Sequence, residues 1–129
     1  MTNFQENTSK KAQSELKLTL PYPPSANNLY FNRWGKRVLS DTGRRFKSNV
    51  AVLAMLQGAR LLDGDLSVTF RVFRPKKIGD LDNRLKISQD ALKGICFEDD
   101  KQIVEIHAFR FDDKINPRIE IDLKELERK

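Results

Sequence analysis

The chain of 129 residues is long enough for one small domain and too short for two separate cores. Its formal charge of +6 favours a polyanionic partner, nucleic acid first, and its single cysteine excludes an internal disulfide framework and a multi-cysteine zinc site. No stretch reaches the roughly 20 apolar residues of a membrane-spanning helix, and the N-terminal residues lack the apolar segment of a signal peptide. These features predict a cytoplasmic protein.

The first residues differ in composition from the rest of the chain. Residues 1–14 carry few apolar side chains, which predicts a flexible N-terminal tail ahead of one domain over residues 15–129. That domain opens with alternating Leu16, Leu18 and Leu20, a pattern typical of a strand with one buried face.

A hairpin and a helix are predicted next. Aromatic and branched residues over Leu29 to Leu39 flank the pair Trp34-Gly35, where glycine permits a tight turn. Possible N-caps at Ser40, Asp41 and Thr42 are followed by apolar residues at helical spacing until Gly58. This segment is the first main helix.

The rest of the chain predicts a strand over Leu66 to Phe73, a second helix over Asp82 to Ile95, and two strands over Ile103 to Phe111 and Arg118 to Leu123. The first of these strands, the helix and the next strand suit one βαβ crossover. The last two strands are expected to run antiparallel. The fold class is therefore α+β (mixed α/β), a single small domain in which two main helices pack on a mixed sheet.

Acidic residues gather around the predicted second helix. Asp80 lies in the connection before it and Asp82 at its start, so their carboxylates can converge. Because a crossover helix returns the chain to the opposite edge of the sheet, Asp100 reaches this pair only if the loop Phe97 to Gln102 swings back.

A divalent metal is the economical way to compensate carboxylates that would otherwise repel one another. Aspartate oxygens suit Mg²⁺ or Mn²⁺, and Mg²⁺ commonly uses one or two protein carboxylates together with substrate phosphates. Such a site fits a phosphodiester nuclease, and Lys86, one helical turn after Asp82, is placed to hold a phosphate. The ordinary alternative is that Asp82 caps the helix and that Asp82, Lys86 and Asp90 form a solvated charge ladder.

Three segments around the second helix carry a resemblance to a known family. Gly79 to Lys86, reading GDLDNRLK, Asp90 to Leu92, reading DAL, and Asp99 to Gln102, reading DDKQ, resemble the RusA family of Holliday junction resolvases. The strand and proline-rich entry Leu18 to Asn28 belongs to the same resemblance, which spans the chain from Leu16 to Leu123.

The resemblance implies a homodimeric endonuclease, dependent on Mg²⁺ with Mn²⁺ as a substitute, that nicks four-way DNA junctions symmetrically in recombination and repair and is often encoded by phages. It maps the metal-binding aspartates onto Asp80, Asp82 and Asp100 and the catalytic lysine onto Lys86. Asp99, beside Asp100, is the alternative ligand.

Basic residues near the acidic motif and in the hairpin are expected to contact DNA phosphates. They are Arg33, Lys36, Arg37, Arg74, Lys76 and Lys77.

The aromatic hairpin residues Tyr30, Phe31 and Trp34 either stack on exposed bases or are buried in the core or a dimer interface. Two rival functions remain at this point: a branched-DNA-binding module without catalysis, and a nuclease for other branched DNA.

Overall fold

The computed structural model describes residues 14–77 and 81–127, and within these it leaves the side chains of residues 26, 27, 82 and 83 undescribed. Almost all of the predicted N-terminal tail, and Asp80, lie outside this part of the chain. No helix in the described ranges is long and apolar enough to cross a membrane. The elements in chain order are β1 (Glu15–Pro21), α1 (Ala26–Leu29), β2 (Tyr30–Arg33), β3 (Lys36–Leu39), α2 (Asp41–Leu56), β4 (Leu66–Arg74), α3 (Leu81–Leu92), a 3₁₀ turn (Asp100–Gln102), β5 (Ile103–Asp112) and β6 (Arg118–Glu125).

Four strands form one mixed sheet in the order β1-β6-β4-β5, and β2 and β3 form a separate hairpin. β4 and β5 are parallel and joined through α3, which confirms the βαβ crossover, whereas β6 is antiparallel to both β1 and β4. β5 and β6 run in opposite directions as expected, but they are not neighbours, because β6 lies between β1 and β4. β5 is thus left as an edge strand. The α+β prediction of a mixed sheet with two main helices is confirmed.

The core fills the space between one face of the sheet and the two long helices. On β1 the predicted residues Leu16, Leu18 and Leu20 are buried, and β4 and β6 contribute alternate residues in the same way. The buried residues of the central strands are Leu66, Val68, Phe70, Val72, Ile119, Ile121 and Leu123. This period of two explains why the strands could be recognised from sequence.

Helix α2 begins at Asp41, directly after its N-cap residue Ser40. The Ser40 hydroxyl accepts a hydrogen bond from the Gly43 amide at 3.0 Å and donates to the Leu29 carbonyl at 2.9 Å, so the same residue caps α2 and ties it to α1. Gly43 lies buried at this contact, where there is no room for a side chain. A Cβ there would lie 2.6 Å from the Leu29 oxygen.

Helix α3 ends earlier than the sequence predicts. It stops at Leu92, and Gly94 adopts a φ of 88° in the turn that follows. The spacing predicts a buried stripe of Leu85, Ser88, Leu92 and Ile95. Ser88 and Leu92 are buried as predicted, Leu85 and Ile95 are only partly buried, and Ile87 and Ala91 are buried in addition. The shift arises because α3 packs against both α2 and the sheet, which widens its buried stripe.

The edge strand β5 is unusual for its exposure. Val104, Ile106, Phe109 and Phe111 are between 44 % and 54 % exposed. The register with β4 places Ile106 on the helix-covered face and Phe109 on the open face. Large apolar side chains are therefore accessible on both faces of a strand whose outer edge has no partner within the described residues. Soluble monomers usually avoid this feature at a sheet edge.

Candidate active site

The acidic motif begins at the end of the sheet where β4 stops. Asp82 lies in the first turn of α3, and Asp80 lies outside the described residues. Lys86, one turn further along α3, has an exposed side chain. The N-terminal turn of a helix favours negative charge because its amide groups point toward it. The backbone thus puts Asp82 and Lys86 on one helix face, four residues apart.

Asp99 and Asp100 differ clearly in their environments. The Asp99 carboxylate accepts a hydrogen bond from the Lys101 amide at 2.9 Å and caps the 3₁₀ turn, so its role there is structural. Asp100 Oδ1 is buried and has no hydrogen-bond donor among the described atoms. An unpaired buried carboxylate oxygen is costly, and a bound cation would satisfy it. Of the two neighbours, Asp100 fits the chemistry of a metal ligand.

The loop before β5 is held by one side chain that the sequence analysis did not single out. The Gln102 carboxamide oxygen accepts from the amides of Glu98 and Asp99, and its nitrogen donates to the carbonyls of Leu62 and Gly64. This double clamp fixes the loop, and with it Asp100, against the start of β4. The spacing of Asp99 and Gln102 is that of a capping box and is a local signal for the first half of the clamp, whereas the bonds to Leu62 and Gly64 span 40 and 38 residues and leave none.

The topology separates Asp100 from the start of α3. Asp100 precedes the start of β5, which pairs with the start of β4, whereas Asp82 follows the end of β4. From Asp82 to Leu92, α3 rises by about 15 Å. The Lys93 Nζ that lies 3.9 Å from Asp100 Oδ2 belongs to the far end of this connection. The sequence left open whether this loop swings back toward Asp82, and within one chain it does not, since Gln102 ties it to the opposite end of the sheet.

No cluster of three potential ligand side chains was found within the described residues. Asp80 and the side chain of Asp82 lie outside that search. The backbone of Asp82 thus lies at one end of the sheet, and Asp100 is fixed at the other.

Most of the predicted DNA-contacting cations are exposed. Lys76 and Lys77 follow β4 directly and are exposed, as is Lys36 in the hairpin. Arg74 differs: its side chain is only 11 % exposed, and its Nε donates to Asp112 Oδ1 at 2.8 Å. This bond uses one of the five N–H donors of the guanidinium and ties the end of β4 to the end of β5, and DNA contact by Arg74 stays a prediction.

The hairpin presents aromatic and basic groups together. Trp34 and Gly35 have φ of 55° and 72°, as a tight two-residue turn requires, and Trp34 is 91 % exposed at the tip. Behind it the guanidinium of Arg37 lies 4.2 Å from the centre of the Tyr30 ring, and that of Arg33 lies 5.8 Å from the Phe31 ring. Of the two expectations for Trp34, burial in the core of this chain is wrong.

The open face of the sheet is occupied by paired charges. Arg71 binds Glu120 at 3.2 Å and Asp122 at 3.0 Å, and Arg118 binds Glu120 at 3.0 Å and Asp113 at 2.9 Å. Burial opposes ionisation of Glu120, but the two arginines hold its pKa below the ordinary value. These pairs set two arginines against three carboxylates, so they leave little free positive charge on the open face for DNA.

Acidic residues collect at the opposite end of the molecule. A shallow cavity of about 360 Å³ lies beside Asp100, and its lining includes Asp63, Asp65, Glu98 and Asp99. One end of the sheet is thus predominantly cationic and the other predominantly anionic, with the candidate ligands divided between them.

Comparison with known proteins places these features in a family. The family model described as "Endodeoxyribonuclease RusA" matches residues 21–124. The crossover junction endodeoxyribonucleases of Enterobacteria phage 82 and of Escherichia coli strain K12 are each 30 % identical over 115 residues, 84 % of this chain and 93 % of theirs. The protein of the same description from Enterobacteria phage HK97 is 33 % identical over 123 residues, covering 88 % of this chain and 98 % of its own.

Proposed function

Because the chain belongs to the RusA family of endodeoxyribonucleases, we propose that it resolves four-way DNA junctions by paired, symmetrical nicks as a homodimer. The observation that carries the proposal is the division of the chain into a cationic end that bears Asp82 and an acidic end that bears Asp100. This division suits two copies that complete each other's sites.

The proposed cofactor is Mg²⁺, with Mn²⁺ as a substitute, held by Asp80, Asp82 and Asp100. The orphaned buried oxygen of Asp100 fits this role, as does the preference of these ions for carboxylate oxygens. When bound, the ion would lower the pKa of a water molecule and offset charge on the phosphate. Lys86, one helical turn after Asp82, holds the reacting phosphate by its ammonium group.

The dimer is proposed to form through β5. Its exposed apolar residues Val104, Ile106, Phe109 and Phe111 need a cover on both faces, and an unpaired edge offers free backbone donors and acceptors. A two-fold axis perpendicular to the sheet pairs β5 with its own copy in the antiparallel direction. The same surface then serves both subunits, as an isologous interface requires.

This symmetry has a consequence for the catalytic aspartates. When two copies of β5 pair antiparallel, the start of one strand lies beside the end of the other, at a strand spacing of about 4.8 Å. Asp100 of the partner subunit, just before its β5, is carried toward the end of β4, where Asp82 lies in the first turn of α3. Each site is thus shared between two chains, and there are two equivalent sites per dimer.

The charges of the two ends support this pairing. The acidic end, with Asp63, Asp65 and Glu98, faces the cationic end of the other subunit, and opposite potentials favour such contacts. Exposed cations such as Lys76 and Lys77 remain for the phosphates of the junction arms.

The activity is tested with an end-labelled four-way junction and a linear duplex of matched sequence, each in EDTA, Mg²⁺ or Mn²⁺. Symmetrical junction nicks that require the metal and are lost in Asp82→Asn are expected, with the duplex intact. Junction binding without cleavage in any metal would replace the proposal by a binding module. Preferential cutting of flaps or forks would make the protein a nuclease of other branched DNA.

Mixing two inactive variants tests the shared site. If Asp82 and Asp100 act across subunits, a heterodimer of Asp82→Asn and Asp100→Asn carries one site with both substitutions and one intact site. Mixing equal amounts then restores about a quarter of the wild-type sites, seen as single nicks, because half of the dimers are mixed. If both residues act within one chain, every site keeps one substitution and the mixture stays inactive.

A further inference from the structure

A cleft of about 490 Å³ opens beside the start of α3, outside the residues assigned to the metal. Its walls are the proline-rich segment after β1, the N-terminal half of α2 and Arg84 of α3. The lining residues used below are Tyr22, Asn28, Arg45, Asn49 and Arg84. Its volume is that of an ordinary ligand pocket, large enough for one nucleotide.

Arg84 forms one side of the cleft and is held in a fixed position. Its Nη1 donates to the Pro23 carbonyl at 2.9 Å, and its guanidinium lies 4.9 Å from the centre of the Tyr22 ring. Its Nε is buried and finds no acceptor among the described atoms. A buried donor in this condition is costly, so an external acceptor would stabilise it.

The other polar groups of the cleft complement a nucleotide. Arg45 is exposed on α2 and supplies a second guanidinium, and the lining residues that the structure describes include no acidic side chain. Asn28 and Asn49 each offer an amide that both donates and accepts, as the edge of a base does. The rings of Tyr22 and the neighbouring prolines give the cleft apolar walls.

We infer that this cleft binds a single unpaired nucleotide of the DNA strand, displaced from the junction next to the cut. Arg45 and Arg84 hold its phosphate oxygens, and Asn28 and Asn49 bind the edge of its base. This inference rests on the proposed function for the origin of the nucleotide. It adds a site that reads base identity, which the phosphate contacts and the metal site do not supply.

The position of the cleft suits this role. Arg84 lies in the first turn of α3, two residues after Asp82. The two positions are about 3 Å apart along the helix axis and about 200° apart around it, so the cleft and the candidate metal ligand lie on opposite sides of the first turn of α3. A strand that crosses the N-terminus of α3, over a helix width of about 10 Å, passes from Asp82 to the cleft.

The test uses 2-aminopurine as a fluorescent base, placed singly at each of two positions on either side of the cut in a four-way junction, with EDTA present to prevent cleavage. One position is expected to change in fluorescence when the wild-type protein binds. Asn49→Ala should remove most of this change, and Arg45→Ala should weaken junction binding about tenfold through loss of a charged phosphate contact. Both side chains are exposed, so both variants are expected to fold.

Arg60→Ala is the matched control for Arg45→Ala, because it removes the same charge from an exposed position that does not line the cleft. Equal signals in the wild type and Asn49→Ala, or four silent positions, would overturn the inference. With Mg²⁺ restored, the wild type's preference among the four bases at the responding position should flatten in Asn49→Ala.

A single-stranded oligonucleotide that carries the same probe base tests binding in the cleft without a junction. Its fluorescence response therefore reports on this inference separately from the proposed function. If the protein cleaves junctions but the fluorescence of the probe base does not change, nucleotide binding in the cleft is wrong and the proposed resolvase activity stands. A response that depends on Asn49, from a protein that cuts no junction, would refute the resolvase and leave the cleft.

Discussion

Lys93 Nζ lies 3.9 Å from Asp100 Oδ2, and this contact marks the end of the sheet opposite to Asp82. With Asp100 about 40 % exposed, the pair is weak, and the other carboxylate oxygen has no donor within the described part of the chain. The contact thus fixes the position of Asp100 but does not provide a hydrogen bond to its buried oxygen Oδ1. It is the reason that a shared site, rather than a site within one chain, is the arrangement to test.

A charge on β5 should separate the proposed dimer. In Ile106→Lys, an ammonium replaces an apolar side chain that is 52 % exposed on the edge strand, and at a paired edge this charge would be desolvated beside its own copy. Sedimentation velocity should show a monomer where the wild type is a dimer, with unchanged circular dichroism and loss of junction cleavage. Met55→Lys, on α2 and 71 % exposed, is the control and should stay dimeric. Two dimeric variants would place the interface elsewhere.

Trp34 should report DNA binding directly. It is the only tryptophan, and it is 91 % exposed at the hairpin tip. Stacking on a base at the junction centre should quench its fluorescence. Trp34→Ala should weaken junction binding by about tenfold or more, since stacking contributes about 1–3 kcal/mol per base. Equal affinities of the variant and the wild type for the junction, with no quenching, would show that the tip stays in solvent.

Gly43 should resist replacement although it lies in a helix. Alanine improves helix propensity by about 1 kcal/mol, but its Cβ would lie 2.6 Å from the Leu29 oxygen. That oxygen already accepts hydrogen bonds from the Ser40 amide and hydroxyl, so it is not free to move. Gly43→Ala is expected to lower the free energy of unfolding in urea by about 1–2 kcal/mol, because overpacking outweighs propensity.

Ser48→Ala, at an exposed position of the same helix, provides the comparison for Gly43. It should leave stability unchanged or raise it by about 0.5 kcal/mol. A Gly43→Ala protein as stable as Ser48→Ala would mean that α1 and α2 move apart at little cost.

Cys96 should make stability fall at alkaline pH. Burial raises the pKa of its thiol to about 11, whereas an unfolded thiol titrates near 8.5. The folded state favours the neutral thiol, so this contribution is complete below the unfolded pKa and is lost as pH rises from about 8.5 through 11. Urea unfolding over this interval should show a steeper decline in the wild type than in Cys96→Ala. Parallel declines would contradict the assignment to this thiol.

Much of the fold followed from the sequence because local patterns carried it. The alternation of Leu16, Leu18 and Leu20 gave β1 its buried face, and the caps near Ser40 gave the start of α2. The parallel pairing of β4 and β5 followed from a strand, helix and strand in succession. Such signals depend on residues that lie close together in the sequence, so they can be recognised without the tertiary structure.

The sequence by itself determined the strands, the two main helices and the residue types that suit a metal-dependent nuclease. Only the tertiary structure decided that β6 enters the middle of the sheet, that β5 is left as an edge, and that Asp100 stands at the end remote from Asp82. It also decided that Arg74 pairs with Asp112 and that Arg84 lines a cleft. The physical reason is that these features join residues tens of positions apart, and such contacts leave no periodic trace along the chain.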